Sequence, residues 1–130
     1  MENTEKLTGY AAAEVSESNT AFAMGSGSLP VFATPAMVAL MEKAAVSAVK
    51  GMIGETDTTV GTMMNITHVS ATPAGMAVRA EATLTARDGR KLSFDVKAFD
   101  EKGLIGEGKH ERVIVTKDRF MSKTLSKLSK

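Results

Sequence analysis

The stretch Thr34–Lys50, with the sequence TPAMVALMEKAAVSAVK, decides the fold of this 130-residue chain. Thr34 is a favourable N-cap residue, and Pro35 suits the first helical position, where no backbone donor is needed. Gly51 is placed to end the helix. One apolar stripe at helical spacing comprises Met37, Leu40, Met41, Ala44, Ala45 and Ala48. The pattern predicts one long helix at about 35–50, whose many alanines would let another layer approach closely.

The sequence that follows this helix alternates like an antiparallel sheet from residue 58 to residue 117. Asp88-Gly89 favours a tight hairpin between two of the strands, and a second turn at 100–103 precedes a last strand at 104–116. One face of the strand at 58–70 is predicted to carry Val60, Met64, Ile66 and His68. The inward residues of the next two strands are predicted to be Met76, Val78, Ala80, Ala82, Leu84, Leu92, Phe94, Val96 and Ala98.

The remaining segments complete one α+β domain over residues 1–130. Residues 6–15 are predicted to form a first strand, residues 16–33 a loop or lid, and residues 118–129 a short amphipathic helix. The pattern is one long helix followed by four meandering strands. The helix must lie across one face of the sheet, because it is the only element able to cover it. The sheet edges would stay exposed unless another chain pairs with one of them, so a homodimer is expected.

The composition excludes several classes of protein. The chain has no cysteine, which rules out a disulfide scaffold and a cysteine nucleophile. No signal peptide and no apolar run long enough to span a membrane is visible, so a soluble, cytoplasmic protein is expected. The net charge is only +1. Basic residues concentrate in 117–130, where a solvated helix face is favoured over a nucleic-acid surface.

Common catalytic motifs are missing from the sequence. It contains no glycine-rich phosphate loop, no GxSxG elbow and no HExxH pair. His68 and His110 lack the clustered carboxylates of a metal site, and no dinucleotide-binding unit is present. We therefore expect neither a metal nor a separate cofactor.

Three polar residues stand out by their positions. Thr34 alone would be an N-cap, Glu42 a solvated charge at the border of the apolar stripe, and His68 a core histidine. Because the helix covers the face from which His68 points, the Glu42 carboxylate and the imidazole could meet as an acid–base pair.

An ordered set of motifs resembles the fluoroacetyl-CoA thioesterase-like family of hotdog-fold thioesterases over about residues 20–117. The set comprises Ala33-Thr34-Pro35-Ala36-Met37, Glu42, Val60-Gly61-Thr62, His68, Ala71-Thr72-Pro73-Ala74-Gly75, Phe94-Asp95-Val96 and Gly108-Lys109-His110-Glu111-Arg112. The resemblance implies a hotdog fold, in which an antiparallel sheet wraps around one long helix. It also implies hydrolysis of a small acyl-CoA by a homodimer, or by a dimer of such dimers, with coenzyme A as part of the substrate.

The same resemblance assigns roles to individual residues. Thr34, Glu42 and His68 are implied to be the catalytic residues, with Glu42 acting either as a nucleophile or as a general base. The Gly61 amide is implied to contact the thioester carbonyl. Phe32 and Arg112 are further candidates for binding the substrate, Arg112 because an arginine fork matches phosphate oxygens. Further candidates for the phosphates of coenzyme A, beside Arg112, are Lys109 and Arg119.

The spacing of Gly61 and His68 adds an expectation about assembly. Seven residues of strand span about 23 Å at 3.3 Å per residue, which is too far for one thioester to contact both. We therefore expect the Gly61 amide to serve a site whose Glu42 and His68 come from the partner subunit.

The lid departs from the family pattern. Phe22 and Phe32 flank Gly25-Ser26-Gly27-Ser28, whereas the family uses aromatic lid residues to select a fluorinated two-carbon acyl group. A broader or different short-chain acyl-CoA is therefore favoured over fluoroacetyl-CoA. The alternative function is a non-catalytic, sensory acyl-CoA-binding module. A hotdog hydratase would need an Asp/His pair that the sequence lacks.

Overall fold

The computed structural model describes residues 7–129, so that Lys6 of the predicted first strand and Lys130 of the basic tail lie outside the described residues. The strands are β1 (Thr8–Glu14), β2 (Asp57–His68), β3 (Ala77–Asp88), β4 (Lys91–Asp100) and β5 (Gly103–Thr116). The helices are α1 (Ala21–Met24), α2 (Thr34–Val49) and α3 (Lys117–Leu125), with 3₁₀ turns at Lys50–Met52 and Ser126–Leu128. The predicted α+β class is confirmed, and the predicted long helix, strands and C-terminal helix are all present, whereas α1 lies in a segment predicted to be a loop or lid.

The five strands form one antiparallel sheet in the order β1-β3-β4-β5-β2. Only β3, β4 and β5 form a meander, so the predicted run of four meandering strands is wrong. The chain after β2 does not turn back as a hairpin, because the Val69 amide donates to the Ile105 carbonyl and the Phe32 amide donates to the Thr72 carbonyl. These bonds carry residues 69–76 away from β2, which pairs along its length with β5.

Helix α2 lies across one face of this sheet, and every residue of its predicted apolar stripe is buried. The approach is closest at Gly9 on β1, where an added Cβ would lie 2.3 Å from both the Ala44 carbonyl oxygen and the Ala48 nitrogen. Alanine on the helix and glycine on the strand therefore allow backbone to pack on backbone. The core continues through the predicted inward residues of β3 and β4, of which Val78, Ala80, Ala82, Leu92, Phe94, Val96 and Ala98 are buried.

The ends of α2 differ from the sequence prediction. Ala33, not Thr34, is the N-cap residue, and no side chain caps the helix there. The Thr34 hydroxyl is engaged elsewhere, by His68 at the end of β2. At the other end the last turn tightens into the 3₁₀ turn Lys50–Met52, so that Gly51 does not end the helix as predicted.

A bulge interrupts β2 between Gly61 and Met63. Before it, Gly61 pairs with Arg112, and after it, Met64 pairs with His110. Because paired residues of antiparallel strands point to the same side, Gly61 faces α2 together with Met64 and His68. The prediction that Val60 shares this face is wrong, because the extra residue reverses the alternation before the bulge.

The connections agree with their turn residues. Gly89 has φ 63°, and it closes the predicted hairpin between β3 and β4. Within the predicted lid, the short helix α1 is capped by the Thr20 hydroxyl, which accepts a hydrogen bond from the Ala23 amide at 3.2 Å. The segment before α2 is therefore more ordered than a plain loop.

Candidate active site

Thr34 and His68 meet where the start of α2 lies over the end of β2. The Thr34 Oγ1 atom is 2.8 Å from His68 Nδ1, which is the distance of a strong hydrogen bond. Partial burial lowers the pKa of His68 below its ordinary value of 6.5. At neutral pH the imidazole is therefore uncharged. A single hydrogen atom lies between Nδ1 of the ring and the Thr34 hydroxyl oxygen. Its Nε2 atom is buried and has no partner among residues 7–129.

A cavity of about 270 Å³ opens beside this pair. Phe32, which is only 2% exposed, forms part of its wall next to Thr34 and His68. The other lining residues are small or short: Ala21, Ser26, Val31, Val69, Ser70 and Ala71. Phe22 of the lid does not line the cavity and is 70% exposed.

Glu42 lies two turns further along α2 and contacts Arg112 instead of His68. The Glu42 Oε2 atom accepts a hydrogen bond from Arg112 Nη1 at 3.1 Å. The Glu42 side chain is 41% exposed, whereas that of Arg112 is only 8% exposed. The carboxylate thus reaches a surface while a buried cation holds it from beneath.

The Arg112 guanidinium is held in turn by two neighbouring strands. Arg112 Nε donates to Thr59 Oγ1 at 2.9 Å, and Nη2 donates to the Thr59 carbonyl at 3.0 Å. Arg112 Nη1 is also 3.2 Å from His110 Nε2, and His110 Nδ1 is 2.8 Å from the Met63 carbonyl. Because the carbonyl can only accept, Nδ1 carries the proton of His110 and Nε2 accepts from Arg112.

The protonation state of His110 fits this network. Burial lowers its pKa below 6.5, the hydrogen bond to Met63 opposes the shift, and the Arg112 charge lowers the pKa further. A neutral His110 can accept from Arg112, whereas a protonated one could not. All of these side chains are thereby fixed beneath Glu42.

Gly61 completes this second group of residues. A Cβ added to Gly61 would lie 2.5 Å from Glu42 Oε2, so only glycine leaves room for the carboxylate. Gly61 therefore lies beside the Glu42 of its own chain. This corrects the expectation that it would serve the Glu42 of the partner subunit.

The structure thus brings the predicted site residues together in two groups. The Thr34/His68 pair stands at one place along α2, and Glu42, Gly61 and Arg112 stand at another. No hydrogen bond or ion pair joins Glu42 to His68 in the described part of the chain. The expected contact of the Glu42 carboxylate with the His68 imidazole is therefore not formed within one chain.

The phosphate-binding candidates also change. Arg112 is buried and bonded to Thr59, Glu42 and His110, so its guanidinium faces protein rather than solvent. Lys109 is paired with Asp95. The sequence did not suggest His110 or Thr59 as part of a site. The signal for His110 was the alternation of β5, which places it with Arg112 and Ile114 on the inward face. Thr59 lies on β2, and its contact with Arg112 had no such local signal.

Residues 7–129 contain neither a metal-binding cluster nor a membrane-spanning helix. No group of three or more histidine, aspartate or glutamate side chains is arranged to hold a metal ion. None of the helices described is both long and apolar enough to cross a membrane.

The sequence itself matches a known family. Residues 15–118 match the family described as Fluoroacetyl-CoA-specific thioesterase, FlK. One relative is the fluoroacetyl-CoA thioesterase of Streptantibioticus cattleyicolor. It is 40% identical over 97 residues, which are 75% of this chain and 70% of the relative.

Solved structures agree with the sequence match. A structure of the fluoroacetyl-CoA thioesterase FlK has a TM-score of 0.87 and 34% identity, over 98% of this chain and 97% of that chain. A variant of FlK in complex with fluoroacetate and CoA has a TM-score of 0.86 and 33% identity, over 91% and 97% of the two chains. A hot-dog-like protein from Thermanaerovibrio acidaminovorans shares the fold at 22% identity, with a TM-score of 0.84 over 95% and 91%. The chain therefore belongs to the fluoroacetyl-CoA-specific thioesterase family, and the predicted hotdog fold and acyl-CoA thioesterase class are confirmed.

Proposed function

We propose that this thioesterase hydrolyses a small acyl-CoA at a centre formed by Thr34, Glu42 and His68 and completed across a homodimer. One observation carries the proposal: each chain holds two half-sites that do not meet. The first half-site is the Thr34/His68 pair, joined at 2.8 Å. The second is Glu42, held by Arg112 at 3.1 Å beside Gly61.

Distances along the chain keep the two half-sites of one protomer apart. Eight residues of helix separate Thr34 from Glu42, which is about 12 Å along the axis. Seven residues of strand separate Gly61 from His68, about 23 Å in a regular strand. A thioester carbonyl is far smaller than either spacing, so one protomer cannot place both half-sites on it.

A two-fold axis through β2 would join them. Strand β2 is an edge of the sheet and is free to pair with a second copy of itself. Antiparallel pairing centred near Asn65, midway between Gly61 and His68, would set the Gly61 of one protomer opposite the His68 of its partner. Each dimer would then contain two complete centres.

The chemistry of such a centre follows from its groups. The Gly61 amide donates to the thioester oxygen as negative charge develops there. In one route the Glu42 carboxylate attacks the carbonyl carbon and expels the thiolate of coenzyme A, and water then hydrolyses the resulting mixed anhydride to the free acid. In the other route the carboxylate takes a proton from a water molecule, which attacks the carbon as the C–S bond breaks and the same thiolate leaves. The neutral Thr34/His68 pair orients the acyl group and returns a proton to the products. Arg112 keeps the carboxylate in place throughout.

Mixed dimers test the division of the site. Two differently tagged chains, one Glu42→Gln and the other His68→Ala, are produced together, and the heterodimer is isolated by both tags. It should release thiol at about half of the wild-type rate, because one of its two centres is intact. The matched pair Thr34→Val with His68→Ala damages the same half-site twice and should stay inactive. An inactive Glu42→Gln/His68→Ala heterodimer would place the whole site within one chain.

The acyl group is expected to be short and not restricted to fluoroacetyl. The cavity at Thr34 and His68 is lined mostly by small residues, and the Gly25–Ser28 part of the lid adds no aromatic wall. Thiol release measured over acetyl-, fluoroacetyl-, propionyl-, isobutyryl- and benzoyl-CoA tests this expectation. Acetyl- and propionyl-CoA should be hydrolysed with kcat/KM within about 200-fold of fluoroacetyl-CoA, since one small group changes binding by about 3 kcal/mol at most. No turnover of any of these esters would leave only a binding function.

A further inference from the structure

We propose that a basic groove between the end of β5 and α3 binds the phosphates of the coenzyme A portion of the substrate. This groove, called the β5–α3 groove below, has a volume of about 260 Å³. It is lined by Arg90, Ile114, Val115, Thr116, Arg119, Phe120 and Lys123. The proposal rests on the proposed function, and it names the place where the nucleotide end of that substrate lies.

The lining of the groove has the chemistry of a phosphate site. Its charged residues are Arg90, Arg119 and Lys123, and no acidic side chain lines it. None of these three cations takes part in an ion pair with another described residue. Arginine forks and lysine ammonium groups are the side chains that bind phosphate oxygens. The groove therefore offers three uncompensated cations at one surface.

The apolar part of the lining suits the base of a nucleotide. Phe120 is 38% exposed and stands in the same groove as Arg119 and Lys123. An exposed aromatic ring can stack on an adenine ring, since both have a flat π surface. The groove is too small to enclose a whole nucleotide, so we expect it to hold one phosphate group and one face of the base.

Its position matches the length of the substrate. On β5 the residues that face α2 follow one another as Arg112, Ile114 and Thr116, and the last two line the groove. Four residues of strand place Thr116 about 13 Å from Arg112, which pairs with Gly61. The pantetheine arm of coenzyme A has about a dozen bonds between sulfur and phosphate, and it extends about 15 Å by ordinary covalent geometry. A thioester carbonyl at Gly61 thus leaves the phosphates within reach of the groove of the same chain.

Arg112 cannot take this role itself. Its guanidinium is buried and already donates to Thr59, Glu42 and His110. Lys109 is paired with Asp95. The sequence suggests Arg112, Lys109 and Arg119 as ligands of the phosphates. Of these three, only Arg119 has no ion-pair partner among the described residues and lies beside other cations.

Substrates of decreasing length test the proposal on the intact enzyme. The double variant Arg119→Gln/Lys123→Gln is compared with wild type on acetyl-CoA, acetyl-dephospho-CoA and acetyl-pantetheine. We expect the KM for acetyl-CoA to rise on the order of tenfold with kcat unchanged, because exposed cations contribute modest binding that salt screens. The kinetics on acetyl-pantetheine, which has no phosphate groups, should not change. Lys97→Gln, which removes one exposed cation from the opposite face of the sheet, should behave like wild type.

The two phosphate positions of coenzyme A give different results. If the groove holds the 3′-phosphate, the double variant should have no effect on acetyl-dephospho-CoA. If it holds the pyrophosphate, the KM for that substrate should rise as it does for acetyl-CoA. An equal rise in KM for acetyl-pantetheine, or no rise for acetyl-CoA, would overturn the proposal.

A binding measurement separates this proposal from the proposed function. Titration calorimetry with adenosine 3′,5′-bisphosphate is made on the Glu42→Gln enzyme, with and without the Arg119→Gln/Lys123→Gln changes. Binding that weakens about tenfold in the combined variant supports the groove whether or not the enzyme hydrolyses a given ester. Equal binding to both proteins counts against the groove. Hydrolysis of acetyl-pantetheine by the wild-type enzyme tests the catalytic proposal by itself.

Discussion

The Gly61→Ala substitution should disable hydrolysis without unfolding the protein. The added Cβ would lie 2.5 Å from Glu42 Oε2, whereas its next neighbours, Arg112 Nη1 and His110 Cε1, are both 3.4 Å away. Non-bonded heavy atoms settle at about 3.5 Å, so the carboxylate must move by about 1 Å. A displacement of that size costs about 100-fold in rate, or about 2.7 kcal/mol of transition-state stabilisation.

The stability of the Gly61→Ala variant should change little. Gly61 is not among the glycines with positive φ, so alanine can adopt its backbone conformation. Restricting the unfolded chain then offsets the strain by about 0.4–1 kcal/mol. Gly51→Ala is the matched control, because an added Cβ there meets nothing within 4 Å. Its kcat/KM should equal that of wild type, and its melting temperature should be equal or slightly higher, because the unfolded chain is restricted there without any strain in the folded state.

Thiol release from acetyl-CoA and thermal unfolding are the two measurements. We expect kcat/KM of Gly61→Ala to fall about 100-fold while the melting temperature stays within about 3 °C. In a Glu42→Gln background, Gly61→Ala should add much less, since both changes act through the same carboxylate. Retention of activity within threefold of wild type would refute the idea that Gly61 exists to make room for Glu42.

Three other perturbations address the rest of the network. Thr34→Val removes the hydroxyl from His68 at an exposed position, so kcat should fall about 100-fold with the melting temperature unchanged, and Thr34→Ser should restore most of the rate. Arg112→Gln leaves buried acceptors at Thr59 and His110 without their donor. Urea denaturation should therefore show that the free energy of unfolding falls by about 3 kcal/mol, whereas Arg79→Gln on the surface should change it very little. Burial holds the pKa of His110 and of His68 below 6.5 in the folded state. As the pH falls, both histidines therefore take up protons more readily in the unfolded chain, which is stabilised relative to the folded protein. The melting temperature should therefore fall as the pH drops below 6.5, and this fall should be smaller in His110→Gln; an equal fall in both proteins would contradict the assignment.

Much of the fold follows from local patterns in the sequence. The stripe of α2 and the alternation of β3 and β4 predict most of the buried residues correctly, because each depends only on neighbours along the chain, although Met76 and Leu84 are only partly buried. The position of β2 is different. Its pairing with β5 depends on bonds such as that between the Val69 amide and the Ile105 carbonyl, which join residues far apart in sequence. Alternation alone does not identify the partner of a strand.

The site was predictable only in part, for a similar reason. Thr34 has the sequence signature of an N-cap, but its hydroxyl contacts a histidine 34 residues away. Arg112 has the signature of a surface charge, but its guanidinium is buried under Glu42. In both cases a tertiary contact overrides the local preference. The resemblance to a family supplied the residues, and the geometry supplied their partners.

The bulge in β2 explains why one sequence prediction failed and why the proposed site can exist. In a regular strand, Gly61 and His68 would point to opposite faces, because an odd number of residues separates them. The extra residue between Gly61 and Met63 reverses that alternation, so that both face α2. The same reversal turns Val60 to the outer face. A two-fold axis through the middle of β2 places the α2-facing sides of the two β2 strands on the same side of the joined sheet. It can therefore bring Gly61 of one protomer to His68 of the other only if both of these residues face α2. The single inserted residue therefore makes a shared site geometrically possible.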